Sequence, residues 1–111
     1  MTEDWGAILV VDDDAEMREL VHDVLKDRGH QVAMAGGGQE ALTLLAEQDC
    51  AVVVTDLRMK GMQGTELLAE IRRLYPDIGI ILMTAFGSVD NAVEAMKRGA
   101  SDYLTKPVKN E

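Results

Sequence analysis

The sequence predicts an α/β domain on an open parallel sheet of five strands, and three observations carry that prediction. Unbroken apolar runs recur as Ala7-Ile8-Leu9-Val10-Val11, Ala51-Val52-Val53-Val54 and Ile78-Gly79-Ile80-Ile81-Leu82-Met83. A strand with one wet face alternates with polar residues, so such runs read as strands covered on both faces, as in parallel sheets. Stretches of helical periodicity separate the runs, and connections this short demand right-handed parallel crossovers. Each run also ends in a side chain capable of chemistry: Asp12 and Asp13, then Asp56, then Thr84. In open α/β sheets ligands bind at that carboxyl edge.

Taken in order, the first run leads to Asp14, a helix cap, followed by Met17, Leu20, Val21, Val24 and Leu25 on one helical stripe that Gly29 terminates. Residues 31–35 form a weaker strand, and Gly36-Gly37-Gly38 is a turn. No Gly-Lys-Ser/Thr follows that turn, so it is not a phosphate loop of the Walker type. Residues 39–48 read as a helix facing inward with Ala41, Leu42 and Leu45, and the strand ending at Asp56 comes next. Leu67, Leu68, Ile71 and Leu74 mark the third helix, which Pro76 ends. After the strand that reaches Thr84, Ser88 is positioned to cap a fourth helix with Val89, Ala92, Val93 and Met96 inward and Gly99 at its end. A last strand over about 101–104 leads to Lys106 and Pro107. The common order for five parallel strands, 2-1-3-4-5, brings Asp12, Asp13, Asp56, Thr84 and Lys106 to one edge.

At 111 residues the chain is expected to be one domain, 1–111, with a core that is aliphatic, since 47% of residues are hydrophobic but 4% aromatic. A formal net charge of −9 argues against direct nucleic-acid binding, which needs clustered Lys and Arg. Cys50 is the single cysteine and reads as an inert buried thiol. No apolar run approaches the roughly 18 residues of a membrane helix, and the first residues lack a basic signal region, so a cytoplasmic chain is expected. His22 and His30 have no second ligand at metal spacing and read as surface residues.

Three carboxylates gathered at one edge repel one another, each close pair by on the order of a few kcal/mol at an effective dielectric near 20. A hard divalent cation with oxygen ligands offsets this, and Mg²⁺ suits a site of few carboxylates that keeps its waters. A cation, a lysine and a hydroxyl together describe a clamp for a phosphoryl group, whose charge spreads over its oxygens. Asp56 is then a nucleophile able to accept that group as an aspartyl phosphate.

Val10-Val11-Asp12-Asp13, Thr55-Asp56, Met83-Thr84-Ala85 and Lys106-Pro107 resemble the receiver domains of two-component response regulators, and the resemblance covers essentially the whole chain. It implies a flavodoxin-like three-layer fold, in which Asp56 takes the phosphoryl group from the phosphohistidine of a sensor histidine kinase. It further implies that Asp13 and Asp56 bind Mg²⁺ directly with the backbone carbonyl of Arg58, and that Asp12 acts through water. Lys106, the Thr84 hydroxyl and the Ala85 amide would meet the phosphoryl oxygens. Thr84 and Tyr103 would form the switch, and a cis bond before Pro107 would orient Lys106.

Departures from the family pattern are Lys60 in place of the usual proline, Gln63 in place of a common aspartate, and Val108 where an aromatic residue often follows Lys-Pro. The chain stops about where a fifth helix should begin, so an apolar strip near the last two strands is expected to be covered by a second copy in a homodimer. The stretch from Thr84-Ala85-Phe86-Gly87-Ser88-Val89-Asp90 through Lys106-Pro107 is most similar to receivers of sigma-54-dependent activators of the nitrogen-regulation type, implying an ATPase and a DNA-binding domain outside this chain. Two other readings are an interaction module of the same fold that is never phosphorylated, and a phosphatase of the haloacid-dehalogenase type using the Asp-x-Asp within Asp12-Asp13-Asp14.

Overall fold

A computed structural model describes residues 6–84, 96–97 and 99–105, with Thr84, Tyr103, Leu104 and Thr105 described by their backbone alone. The elements are β1 (Ala7–Val11), α1 (Ala15–Asp27), β2 (Val32–Ala35), α2 (Gly38–Glu47), β3 (Cys50–Asp56), α3 (Gly64–Leu74), β4 (Gly79–Thr84) and β5 (Asp102–Thr105). All neighbouring strands are parallel and the order is β2-β1-β3-β4-β5, the common order expected for this β-α repeat.

Alternation along the strands divides the core into two layers. Leu9, Val11, Val53, Ile80 and Leu82 pack with Ala41 and Leu45 of α2 and with Leu67, Leu68 and Ile71 of α3. Val10, Val54 and Met83 point to the opposite face, where Val21 of α1 covers them and Met17 and Leu25 flank it. Full burial of Leu67, Leu68 and Ile71 contributes about 1.5–3 kcal/mol for each side chain.

The ends of the elements follow local chemistry. The Asp14 carboxylate accepts from the N–H groups of Glu16 and Met17, capping α1 as expected. Gly29 takes a φ of 92° just past the end of α1, the left-handed conformation that a glycine adopts without strain. The N–H of Gly36 donates to the Glu40 carboxylate at 2.8 Å. An acid therefore sits where a phosphate would have to, in keeping with the turn being no phosphate loop.

Three apolar positions expected inside are on the surface. Leu20 is 39% exposed, because the face of α1 that meets the sheet centres on Val21 and Val24 and leaves Leu20 at the margin of the stripe. Leu74, 46% exposed, is the last residue of α3 and lies at its end. Met96 is 40% exposed, so it is not on the inner face of its helix. The remaining residues named for the fourth helix, Ser88, Val89, Ala92 and Val93, lie outside the described residues, as does the region after Thr105 where a fifth helix was expected to be missing.

At the amino edge of the sheet, Arg72 of α3 fastens the connection into β5. Its Nε donates to the Gly99 carbonyl at 2.8 Å, and Nη1 donates to the carbonyls of Ile78 and Pro76. Ser101 joins this clasp, its hydroxyl accepting from the Ile80 N–H at 3.1 Å while its own N–H donates to the Ile80 carbonyl at 2.7 Å. The backbone of Tyr103 and Thr105 is thereby held in register beside Leu82 and Thr84.

Candidate functional site

Sheet register assembles the site. Val10 pairs with Val54 and Val11 with Thr55, so Asp12 and Asp56, one residue further along each chain, leave the ladder side by side. Asp56 pairs in turn with Met83, and Thr84 with Thr105, so the backbones of Thr84 and of the residue before Lys106 reach the same edge. Asp12, Asp13 and Asp56 each offer a carboxylate oxygen, and these atoms all lie within 4.8 Å of one another. Asp12 is fully buried and Asp56 is 8% exposed, whereas Asp13 faces solvent.

Every surrounding donor is placed by a specific local fold. Asp12 receives the Asp14 N–H on Oδ1 at 2.9 Å, and its carbonyl accepts from Arg18 Nη1 at 2.7 Å. The half-buried Arg18 thus brings a positive charge from α1 to the main chain of the acid cluster. Asp13 Oδ2 accepts from the main-chain N–H of Lys60 at 3.0 Å. The loop between Asp56 and α3 is closed by Leu57 N–H donating to the Met83 carbonyl at 2.9 Å and Gly64 N–H donating to the Leu57 carbonyl at 2.8 Å. Within it, Met59 N–H donates to Gln63 Oε1 at 3.3 Å, and Gln63 N–H donates to Glu66 Oε1 at 2.9 Å.

Arg18, Lys60, Gln63 and Gly64 were not singled out from the sequence as contributors to a site. Arg18 carries no signal, because its role depends on where α1 crosses the end of β1. Lys60 and Gln63 stood out as departures from a family pattern, yet both supply hydrogen bonds that hold the loop. Glu66 three residues after Gln63 is the spacing of a capping pair, which was legible.

The donor set suits a hard divalent cation. Three carboxylate oxygens converge within 4.8 Å, no sulfur or imidazole joins them among the described residues, and the exposed face of Asp13 leaves room for water ligands. Arg58 is exposed on the loop two residues after Asp56. Ala85, Lys106 and Pro107 lie outside the described residues, and the Thr84 and Tyr103 side chains are not described. Asp14 is spent as the cap of α1, which removes the Asp-x-Asp pair that a phosphatase reading needs.

A separate cavity of about 230 Å³ lies at the opposite, amino edge, lined by Leu45, Gln48, Asp49, Cys50 and the turn 75–78. Burial pushes the Cys50 thiol above its ordinary pKa, a hydrogen bond with Gln48 opposes this, and the neighbouring Asp49 charge adds to it. The thiol stands at the amino end of β3, at the other end of that strand from Asp56.

Comparison with known proteins bears on the whole chain. Residues 8–111 match the family described as response regulator receiver domain. The response regulator protein FleR of Pseudomonas aeruginosa is 45% identical over 100 residues, which are 90% of this chain and 21% of that protein. The transcriptional regulatory protein ZraR of Escherichia coli is 45% identical over 108 residues, 97% of this chain and 24% of that protein. The chain therefore spans less than a quarter of the length of these curated relatives. Among solved structures, NtrX from Brucella abortus superposes with a TM-score of 0.91 at 34% identity, covering 95% of this chain and 24% of that one. Among the described residues, no helix is long and apolar enough to cross a membrane.

Proposed function

The chain belongs to the response regulator receiver domain family, a family of signalling modules, and from that premise we propose that Asp56 is the phosphoacceptor of a two-component phosphorelay. The observation that carries this reading is the meeting of the Asp12, Asp13 and Asp56 oxygens within 4.8 Å at the carboxyl edge of the sheet. An oxygen of the Asp56 carboxylate attacks phosphorus, the P–N bond of a phosphohistidine on a sensor histidine kinase breaks, and the imidazole leaves with that bonding pair. Asp13, Asp56 and the Arg58 carbonyl would hold Mg²⁺ directly and Asp12 through water, and the cation, when bound, would neutralise the acids and the phosphoryl oxygens.

Thr84, Ala85 and Lys106 are assigned to the phosphoryl oxygens by resemblance, Thr84 and Tyr103 to the switch, and a cis Lys106–Pro107 bond to orienting the lysine. Phosphorylation shifts the population between two states through the difference in contacts each makes with the phosphoryl group. The domain is an acceptor with at most slow hydrolysis of its own aspartyl phosphate, in contrast to an enzyme turning over free substrate. As a cytoplasmic module of a longer protein, it controls an ATPase and DNA-binding output of the sigma-54-dependent kind, acting on transcription and pairing with a second copy. The relatives FleR and ZraR, named as a response regulator and a transcriptional regulatory protein, support that direction.

Incubation with a small phosphodonor and Mg²⁺, followed by intact mass measurement, tests the assignment. The expected result is a single added phosphoryl group that Asp56→Asn eliminates and chelation prevents. Identical behaviour of Asp56→Asn and the unaltered chain would overturn it and leave an interaction module of the same fold.

A further inference from the structure

Lys60 is an exposed residue on the loop between Asp56 and α3. Its N–H donates to Asp13 Oδ2 at 3.0 Å, joining positions 47 residues apart. A proline at this place has no N–H and cannot make that bond. Asp13 is the exposed member of the acid trio, so without a partner its carboxylate would sample rotamers in solvent. The bond occupies one oxygen, leaves the other for a cation, and draws some negative charge off the carboxylate while three acids face one another.

Two neighbouring bonds hold the donor in place: Met59 N–H to Gln63 Oε1 before it, and Gln63 N–H to Glu66 Oε1 anchoring that glutamine to α3. We propose that the Lys60 main-chain N–H is a positioning group of the cation site. It fixes the Asp13 carboxylate for the cation and ties the order of the loop over residues 57–64 to cation binding. This rests on the reading of Asp12, Asp13 and Asp56 as the Mg²⁺ ligands. The amide acts through Asp13 and does not touch the cation.

Calorimetric titration of the 111-residue chain with Mg²⁺ tests it on Lys60→Pro, which removes the N–H, and Lys60→Ala, which removes the side chain and keeps it. Lys60→Pro is expected to weaken Mg²⁺ binding by about tenfold, the scale of losing a group that orients a ligand, and Lys60→Ala to retain the affinity. Because proline also restricts Met59, the unaltered chain supplies an independent readout. Its Lys60 amide is expected to exchange slowly with solvent when free and more slowly still when saturated with Mg²⁺, and Asp13→Ala to make it fast. A Lys60→Pro affinity within twofold of the unaltered chain, or a Lys60 amide that exchanges as fast as an exposed loop, would overturn the proposal. Normal binding with an unaffected Lys60→Pro sinks this inference alone, whereas an unaltered chain that binds no Mg²⁺ sinks the site assignment with it.

Discussion

Gly64 stands against the main chain of Asp56: a Cβ at position 64 falls 2.2 Å from the Asp56 carbonyl oxygen and 2.8 Å from the Leu57 Cα. Both atoms belong to backbone, so no flexible side chain can give way. The loop after Asp56 closes on itself at this point, where the Gly64 N–H meets the Leu57 carbonyl at 2.8 Å. Gly64→Ala is expected to destabilise the chain by about 1–3 kcal/mol, the usual range for overpacking, and to displace the end of β3. Urea unfolding measures the first effect. Phosphodonor uptake at a urea-free temperature well below the transition measures the second, with a slower rate expected than in the unaltered chain.

The acid trio should make cation binding and stability interdependent. With a chelator present, Asp13→Asn relieves repulsion at an exposed position and is expected to raise stability slightly, by up to about 1 kcal/mol, and the unfolding midpoint with it. With Mg²⁺ in excess the order reverses, because a ligand that binds only the folded state stabilises the unaltered chain by roughly 2.7 kcal/mol at a hundred times its Kd. Thermal unfolding of both proteins in the two buffers reads the crossing. Parallel midpoints in both buffers would exclude Asp13 from the cation site.

Arg72 links α3 to the start of β5 through the Gly99, Ile78 and Pro76 carbonyls. Removing its guanidinium leaves several carbonyls without a donor, so Arg72→Ala is expected to cost about 1.5–3 kcal/mol. Arg72→Lys should recover only a part, since an ammonium cannot present the planar fork that reaches these acceptors together. Denaturant midpoints for the series provide the check. Amide exchange in β5 is expected to quicken more than in β1 or β3, because the clasp holds the edge strand.

Cys50 is buried at the amino edge of β3 and its pKa is raised by that burial. Thiolate is the reactive form, so alkylation by iodoacetamide near neutral pH should be slow in the folded chain and fast in urea. The sign for stability follows from the same shift. The folded thiol holds its proton to higher pH than the unfolded one, so the unfolded chain loses protons first and stability declines as pH rises through the ordinary thiol range. Cys50→Ala is expected to flatten that alkaline decline.

The amino-acid pattern by itself determined the element order, the two-sided burial of β1 and β3, and the acids that end them, because apolar periodicity and strand-end chemistry are local properties. It also supported the order β2-β1-β3-β4-β5, which short right-handed crossovers leave as the common solution. Tertiary structure decided what depends on register and crossing. The oxygens of Asp12, Asp13 and Asp56 converge only because Val11 pairs with Thr55, and Asp13 finds the Lys60 amide only because the 57–64 loop folds back on Gly64. Leu20 reads as core on a helical wheel and lies at the surface, since the width of a buried stripe is set by the sheet beneath it. Backbone donors such as the Lys60 N–H are the same in nearly every residue, so no sequence pattern marks the one that a carboxylate will meet.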